Sequence, residues 1–143
     1  VIRQAAVFCE PICARYGNRV DVDTPDAPLL ASFVPDSIMQ VLYNLIANAN
    51  RHCKNGTIIV RAQVAQDGGV EVSVIDHGSG MTPELAARAF ESGVSGDAGS
   101  GLGLALCRQI VEDGGGTIEL ASTSGEGTTV TFTLPAGVRA AGE

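Results

Sequence analysis

The 143-residue sequence predicts an α+β domain built on one mixed, mostly antiparallel sheet with helices packed on one face. Three observations predict it. Segments with apolar residues at helical spacing alternate with β-rich runs. Four of those runs pair off through short glycine-containing connections into two hairpins. The composition, 45% hydrophobic and 17% charged, supplies enough apolar surface for one core, and the length suits a single domain over 1–143.

Ile2, Ala5, Ala6, Cys9, Ile12, Cys13 and Tyr16 recur at helical spacing, so a lead helix is expected over about 1–16, with Gly17 as its stop. Arg19-Val20-Asp21-Val22-Asp23 alternates as a short half-exposed strand until Pro25 and Pro28. Leu29 to Val34 reads as a second short strand paired with it. Pro35-Asp36-Ser37 opens a helix running to about Cys53, closed by Lys54-Asn55-Gly56. Thr57–Ala65 and Val70–Asp76 form the first hairpin, joined at Gln66-Asp67-Gly68-Gly69. A short helix follows over Pro83–Phe90, then a Gly/Ser-rich stretch over 91–100, then a helix from about Gly101 to Asp113. Thr117–Thr123 and Thr128–Leu134 form the second hairpin, and the tail from about 136 to 143 is expected to fray.

A formal charge of −7 and a pI near 4.7 disfavour phosphate backbones and anionic lipid, so neither nucleic acid nor membrane is an expected partner. No apolar run reaches the ~18–20 residues of a membrane helix, and the first residues lack a signal-peptide core. The expected location is the cytoplasm, as a free protein or as the cytosolic part of a membrane-bound sensor. Cys9 and Cys13, four apart on the lead helix, read either as a metal half-site or as two small core residues. The absence of a second Cys pair or a His-x-x-His favours the core.

Three features carry chemistry. On the helix over 35–53, Ile38, Val41, Leu42, Leu45 and Ala49 share the core face, while Gln40, Asn44, Asn48 and His52 recur at steps of four on another stripe. Asparagine competes with the backbone for hydrogen bonds and is a poor helix former, so two of them mid-helix call for a reason. The stripe is either a solvated face or a row of ligands lining a cleft; an amide oxygen is a hard neutral donor that suits Mg²⁺. In the second feature, the alternation of Val70, Val72 and Val74 puts Asp76 on the apolar side, where a carboxylate is costly unless something donates to it. The exocyclic amine of adenine would satisfy it; guanine presents a carbonyl there. The alternative is a cap on the turn His77-Gly78-Ser79-Gly80-Met81. The third feature is Gly99-Ser100-Gly101-Leu102-Gly103-Leu104, a glycine cluster entering a helix, where unpaired N–H groups and the helix dipole favour an anion. Neither G-x-G-x-x-G nor the P-loop G-K-[ST] occurs.

In chain order the features read N-x-x-x-N-A, D-x-G-x-G, G-x-G-L-G-L and finally Gly127-Thr128. This resembles the ATP-binding catalytic domain of sensor histidine kinases, within the Bergerat-fold superfamily shared with type II topoisomerases, mismatch-repair ATPases and Hsp90 chaperones. The resemblance extends from Ile2 to about Leu134. It implies a two-layer α/β sandwich holding ATP and Mg²⁺ between the asparagine helix and a lid over about 91–100. By motif, Asn48 would be the Mg²⁺ ligand with Asn44 beside it, and Arg51 and His52 would lie near the phosphates. Asp76 would accept from the adenine amine, with Gly78, Gly80 and Met81 in the loop against the purine. Ser100, Gly101, Leu102, Gly103 and Leu104 would form the phosphate loop, Thr128 would support the adenine contact, and Phe90 matches the first aromatic of the family's F box.

The family's second aromatic is replaced by Gly93, and residues 91–107 contain no Lys or Arg to meet the terminal phosphate. His52 and His77 both sit inside nucleotide motifs, so the phosphoacceptor histidine is expected on a dimerisation/phosphoacceptor domain elsewhere in the polypeptide or on a separate protein, with a response regulator downstream. The hydrolase relatives carry a glutamate at the position of Asn44, which cannot take up a proton. A Ser/Thr kinase of the anti-sigma-factor type usually keeps an acid in that box too. A non-catalytic ATP-binding interaction module is the remaining alternative.

Overall fold

The computed structural model describes residues 2–24, 35–65, 68–90 and 103–135. The strand expected over Leu29–Val34, turn residues Gln66 and Asp67, the lid over 91–100, residues Gly101 and Leu102, and the tail from Ala136 lie outside the described residues.

Helix α1 spans Ile2–Arg15 and strand β1 Arg19–Asp23. Gly17, at φ +74°, takes the left-handed conformation that lets the chain leave the helix. Helix α2 (Pro35–His52) leads into β2 (Thr57–Val64) and β3 (Val70–Asp76), close to the expected bounds. Helix α3 is shorter than expected, Pro83–Ala87. Thr82 caps its start by accepting from the Leu85 N–H, and the Arg88 N–H turns back to the Leu85 carbonyl, so Phe90 falls in the following turn. Helix α4 (Gly103–Asp113), β4 (Ile118–Thr123) and β5 (Gly127–Leu134) complete the chain order.

The sheet runs β1-β2-β3-β5-β4. The two expected hairpins, β2–β3 and β4–β5, are antiparallel, and β3 joins them by pairing with β5. β1 pairs with β2 in parallel, which makes the sheet mixed. Alternation sends Val70, Val72, Val74, Val130 and Phe132 to the helix side, where they meet Val41, Leu42, Leu45 and Ile46 of α2 and Cys107 and Val111 of α4. Each large aliphatic or aromatic side chain buried there contributes about 1.5–3 kcal/mol. Cys9 and Cys13 belong to this core; no group of three or more His, Cys, Asp or Glu could hold a metal among the described residues.

A buried amide network fastens the end of α2 to the first helix and strand. Asn18 Nδ2 donates to Asn50 Oδ1 (2.9 Å) and to the Cys53 carbonyl (2.8 Å). Asn18 Oδ1 accepts from the Gly56 N–H at 3.0 Å, and Asn50 Nδ2 reaches Cys13 Sγ at 3.2 Å. Asn50 thus spends its amide on architecture, unlike Asn48 two residues before it. Replacing Asn50 with Ala strips Asn18 of a buried partner and is expected to cost about 1–3 kcal/mol in urea denaturation; a change under about 0.5 kcal/mol would show the network to be dispensable.

Candidate functional site

The end of α2, the loop after β3 and the β4–β5 turn converge at one corner of the domain. The Ser79 N–H donates to the His52 carbonyl at 2.7 Å, and the Gly125 N–H donates to the Ser79 carbonyl at 2.6 Å. Gly78 lies so close to the His52 carbonyl that any Cβ would collide with it. Gly80, at φ +68°, faces the Thr123 carbonyl in the same way. Both glycines therefore answer to neighbouring backbone, a reason for them that motif reading did not supply.

Asp76 ends β3 on the inward side, 3% exposed. Its Oδ1 accepts the Gly78 N–H at 2.9 Å, so the acid does cap its turn. Burial raises its pKa above the usual carboxylate range. The N–H groups of Gly78 and Thr128 and the nearby imidazoles of His52 and His77 work in the opposite direction. Behind it, Cys53 is buried. Its thiol pKa is raised by burial and by the charge of Asp76, against a hydrogen bond from the His77 backbone. Thr128, opposite Asp76 in the β3–β5 register, is also buried.

Along α2, Arg51 and His52 are half-buried, whereas Asn48 is 7% exposed. No buried side-chain nitrogen or oxygen among the described residues lacks a partner, yet Asn48 enters none of the hydrogen bonds there, so its amide must still reach solvent. Half-buried Asn44 lies near the Cys107 thiol of α4 and lowers its pKa, an effect outweighed by burial, which pushes that thiol up to about 12; the thiol itself donates to the Val41 carbonyl at 3.7 Å. Gly103 opens α4, and half-buried Leu104 packs against the core. Ser100, Gly101 and Leu102 lie outside the described residues.

Met81 is buried, and its N–H donates to Ser122 Oγ at 2.8 Å. Sequence reasoning passed over Ser122, although the alternation of Ile118 and Leu120 puts it on the inward side of β4 by the same logic that singled out Asp76. A groove of about 240 Å³ at these strand ends is lined by Asp76, His77 and Ser122 together with Ile75, Ala121 and Thr129, which alternation turns away from the helices.

Residues 33–138 match the family model described as "Histidine kinase-, DNA gyrase B-, and HSP90-like ATPase". Sensor histidine kinase ZraS of Klebsiella oxytoca is 46% identical over 103 residues, which cover 71% of this chain and 22% of that protein. The non-motile and phage-resistance protein of Caulobacter vibrioides is 39% identical over 130 residues, 83% of this chain and 15% of that one. The chain thus spans less than a quarter of these two relatives. Full-length ShkA in complex with AMPPNP superposes with a TM-score of 0.84 at 29% identity, covering 98% of this chain and 30% of that one. The nucleotide-free catalytic domain of histidine kinase ThkA gives 0.83 at 29% identity, covering 95% of this chain and 90% of that one. No helix among the described residues is long and apolar enough to cross a membrane.

Proposed function

Because the chain belongs to the family of histidine kinase-, DNA gyrase B-, and HSP90-like ATPases, as the ATP-binding catalytic domain of a sensor histidine kinase, we propose that it binds Mg-ATP and transfers the γ-phosphoryl group to a histidine on a dimerisation/phosphoacceptor domain, in the same polypeptide or on another protein. A response regulator would receive the phosphoryl group next.

The observation that carries this reading is the inward carboxylate of Asp76. Even with the Gly78 N–H donating to it, an acid kept off the water at a strand end costs stability, and its remaining lone pairs can accept from a ligand. The adenine amine is such a donor. Gly78, Gly80 and Met81 shape the loop beside it, and Thr128 flanks it across the β3–β5 pair.

The donor set fits Mg²⁺, because Asn48 presents a neutral hard oxygen that no group among the described residues occupies, and Asn48 would hold it. When bound, the ion supplies charge neutralisation at the phosphates. Arg51 and His52, one turn further along α2, add positive charge and donors on the same side. Arg51 makes no ion pair among the described residues and is free for an anion. The amide of Gly103 at the start of α4, with those of Gly101 and Leu102, cradles phosphate, and Ser100 and Leu104 flank that loop. An added Cβ at Gly103 meets no described atom within 4 Å, so packing against the described residues does not demand a glycine there. The acceptor imidazole attacks in line, and catalysis is positioning plus charge stabilisation. Asn44 stands where a hydrolase would need a general base and cannot take a proton from water, which disfavours hydrolysis.

The test is incubation of the chain with γ-labelled ATP, Mg²⁺ and a histidine-bearing hairpin domain of a sensor kinase. Acid-labile label on the acceptor histidine is the expected result. ATP binding without transfer would leave a nucleotide-binding interaction module; label on serine or threonine would move the chain to the anti-sigma-factor type.

A further inference from the structure

We infer that Ser122 is a positioning residue that sets the polarity of the Thr128 hydroxyl and thereby helps select a 6-amino over a 6-oxo purine. The inference rests on the ATP reading above. A serine hydroxyl has one proton to give and two lone pairs. Ser122 Oγ has three neighbours. The Met81 N–H, at 2.8 Å, donates into it. The Gly127 carbonyl, at 3.0 Å, has no proton and must accept the one from Ser122. Thr128 Oγ1, at 2.8 Å, is left as donor to the second lone pair of Ser122.

The consequence concerns the ligand. With its proton committed to Ser122, Thr128 offers only lone pairs to anything beyond. Asp76, its register partner across the sheet, is likewise an acceptor when ionised. A pocket wall that sets acceptors against position 6 of the purine rewards an N–H there, as the amine of adenine brings. It opposes an edge that brings a carbonyl, as inosine or guanine does. Without Ser122, the Thr128 hydroxyl can turn and donate, and part of that opposition disappears. Ser122, half-buried, acts through its hydrogen bond to Thr128 and need not touch the nucleotide.

Affinities of the 143-residue chain for ATP and ITP, each with Mg²⁺, test this by calorimetry. Ser122→Ala is expected to lower the ATP-over-ITP ratio roughly fivefold to tenfold, the net worth of one neutral hydrogen bond. Ser122→Thr, which restores the hydroxyl, is expected to return the ratio to the wild-type value. Thr128→Val should lower the ratio by a similar factor, and adding Ser122→Ala to it should change the ratio no further, since the two act as one unit. Ser122→Cys, near in size but a weak hydrogen-bonding group, is expected to act like alanine and serves if that variant fails to fold. Equal loss of ATP and ITP affinity in Ser122→Ala, or multiplicative effects in the double variant, would reduce Ser122 to a structural residue and overturn the inference. Failure of the wild-type chain to bind ATP would remove the functional reading instead, and this inference with it.

Discussion

Replacing Asn48 with alanine is expected to reduce Mg²⁺-dependent phosphoryl transfer by at least about a hundredfold, since even residues that only support a metal ligand cost 10–100-fold when removed. The fold should survive. Asn48 makes no hydrogen bond to the described residues, so its removal leaves no buried partner unsatisfied. Alanine is also the better helix former, by up to about 0.7 kcal/mol. The combination is diagnostic. A residue kept for architecture, as Asn50 is, loses stability on truncation; one kept for a ligand loses activity alone. Asn48→Asp preserves the size and an oxygen but sets a negative charge beside the phosphates, and it is expected to fail in transfer as well. The measurements are transfer to a supplied acceptor domain and thermal melting of the ligand-free protein. Full transfer by Asn48→Ala would remove the residue from the metal site.

The second large effect is expected at Asp76. Asp76→Asn should weaken ATP binding by about 1.5–3 kcal/mol, the worth of a hydrogen bond to a charged acceptor, which is roughly 10–150-fold in affinity. The same substitution changes how stability depends on pH. Burial raises the Asp76 pKa in the folded protein above its ordinary value of 3.8, so between 3.8 and the folded-state value the native chain binds more protons than the unfolded one. Stability contributed by this group therefore falls as pH rises through that window, and the ionised carboxylate is a burden at neutral pH. The difference in unfolding free energy between wild type and Asp76→Asn should slope across the window and level off above it. Affinity for ATP should weaken in the wild type as pH drops through the same range, because the proton occupies the acceptor. Calorimetry and denaturation at several pH values measure both. Unchanged ATP affinity in the variant, or a pH-independent difference in stability, would refute the assignment.

Much of this molecule can be read along the chain. The 3.6-residue period separates the Val41, Leu42, Leu45 and Ala49 side of α2 from the Asn44, Asn48 and His52 stripe, and the burial of the first set follows it. The two-residue period turns Asp76 inward on β3 and Ser122 inward on β4. Such periods are properties of the local backbone, so neighbouring residues report them without reference to the rest of the chain. The α3 end is the exception, a turn that tightened after Ala87 where the helical pattern ran on to Phe90.

Other features depend on segments far apart in the chain. That β1 lies parallel to β2, and that β5 rather than β4 borders β3, is set by how loops close and how faces pack, and no local pattern encodes it. Asn48 and Asn50 look alike in the sequence; Asn50 is structural because Asn18 and Cys13 arrive beside it from another helix and turn. Gly78 reads as freedom for a ligand until the His52 carbonyl is found against it. Periodicity tells which way a side chain points, but what it meets there depends on residues tens of positions away, and that contact separates a group spent on the fold from one left free for a nucleotide.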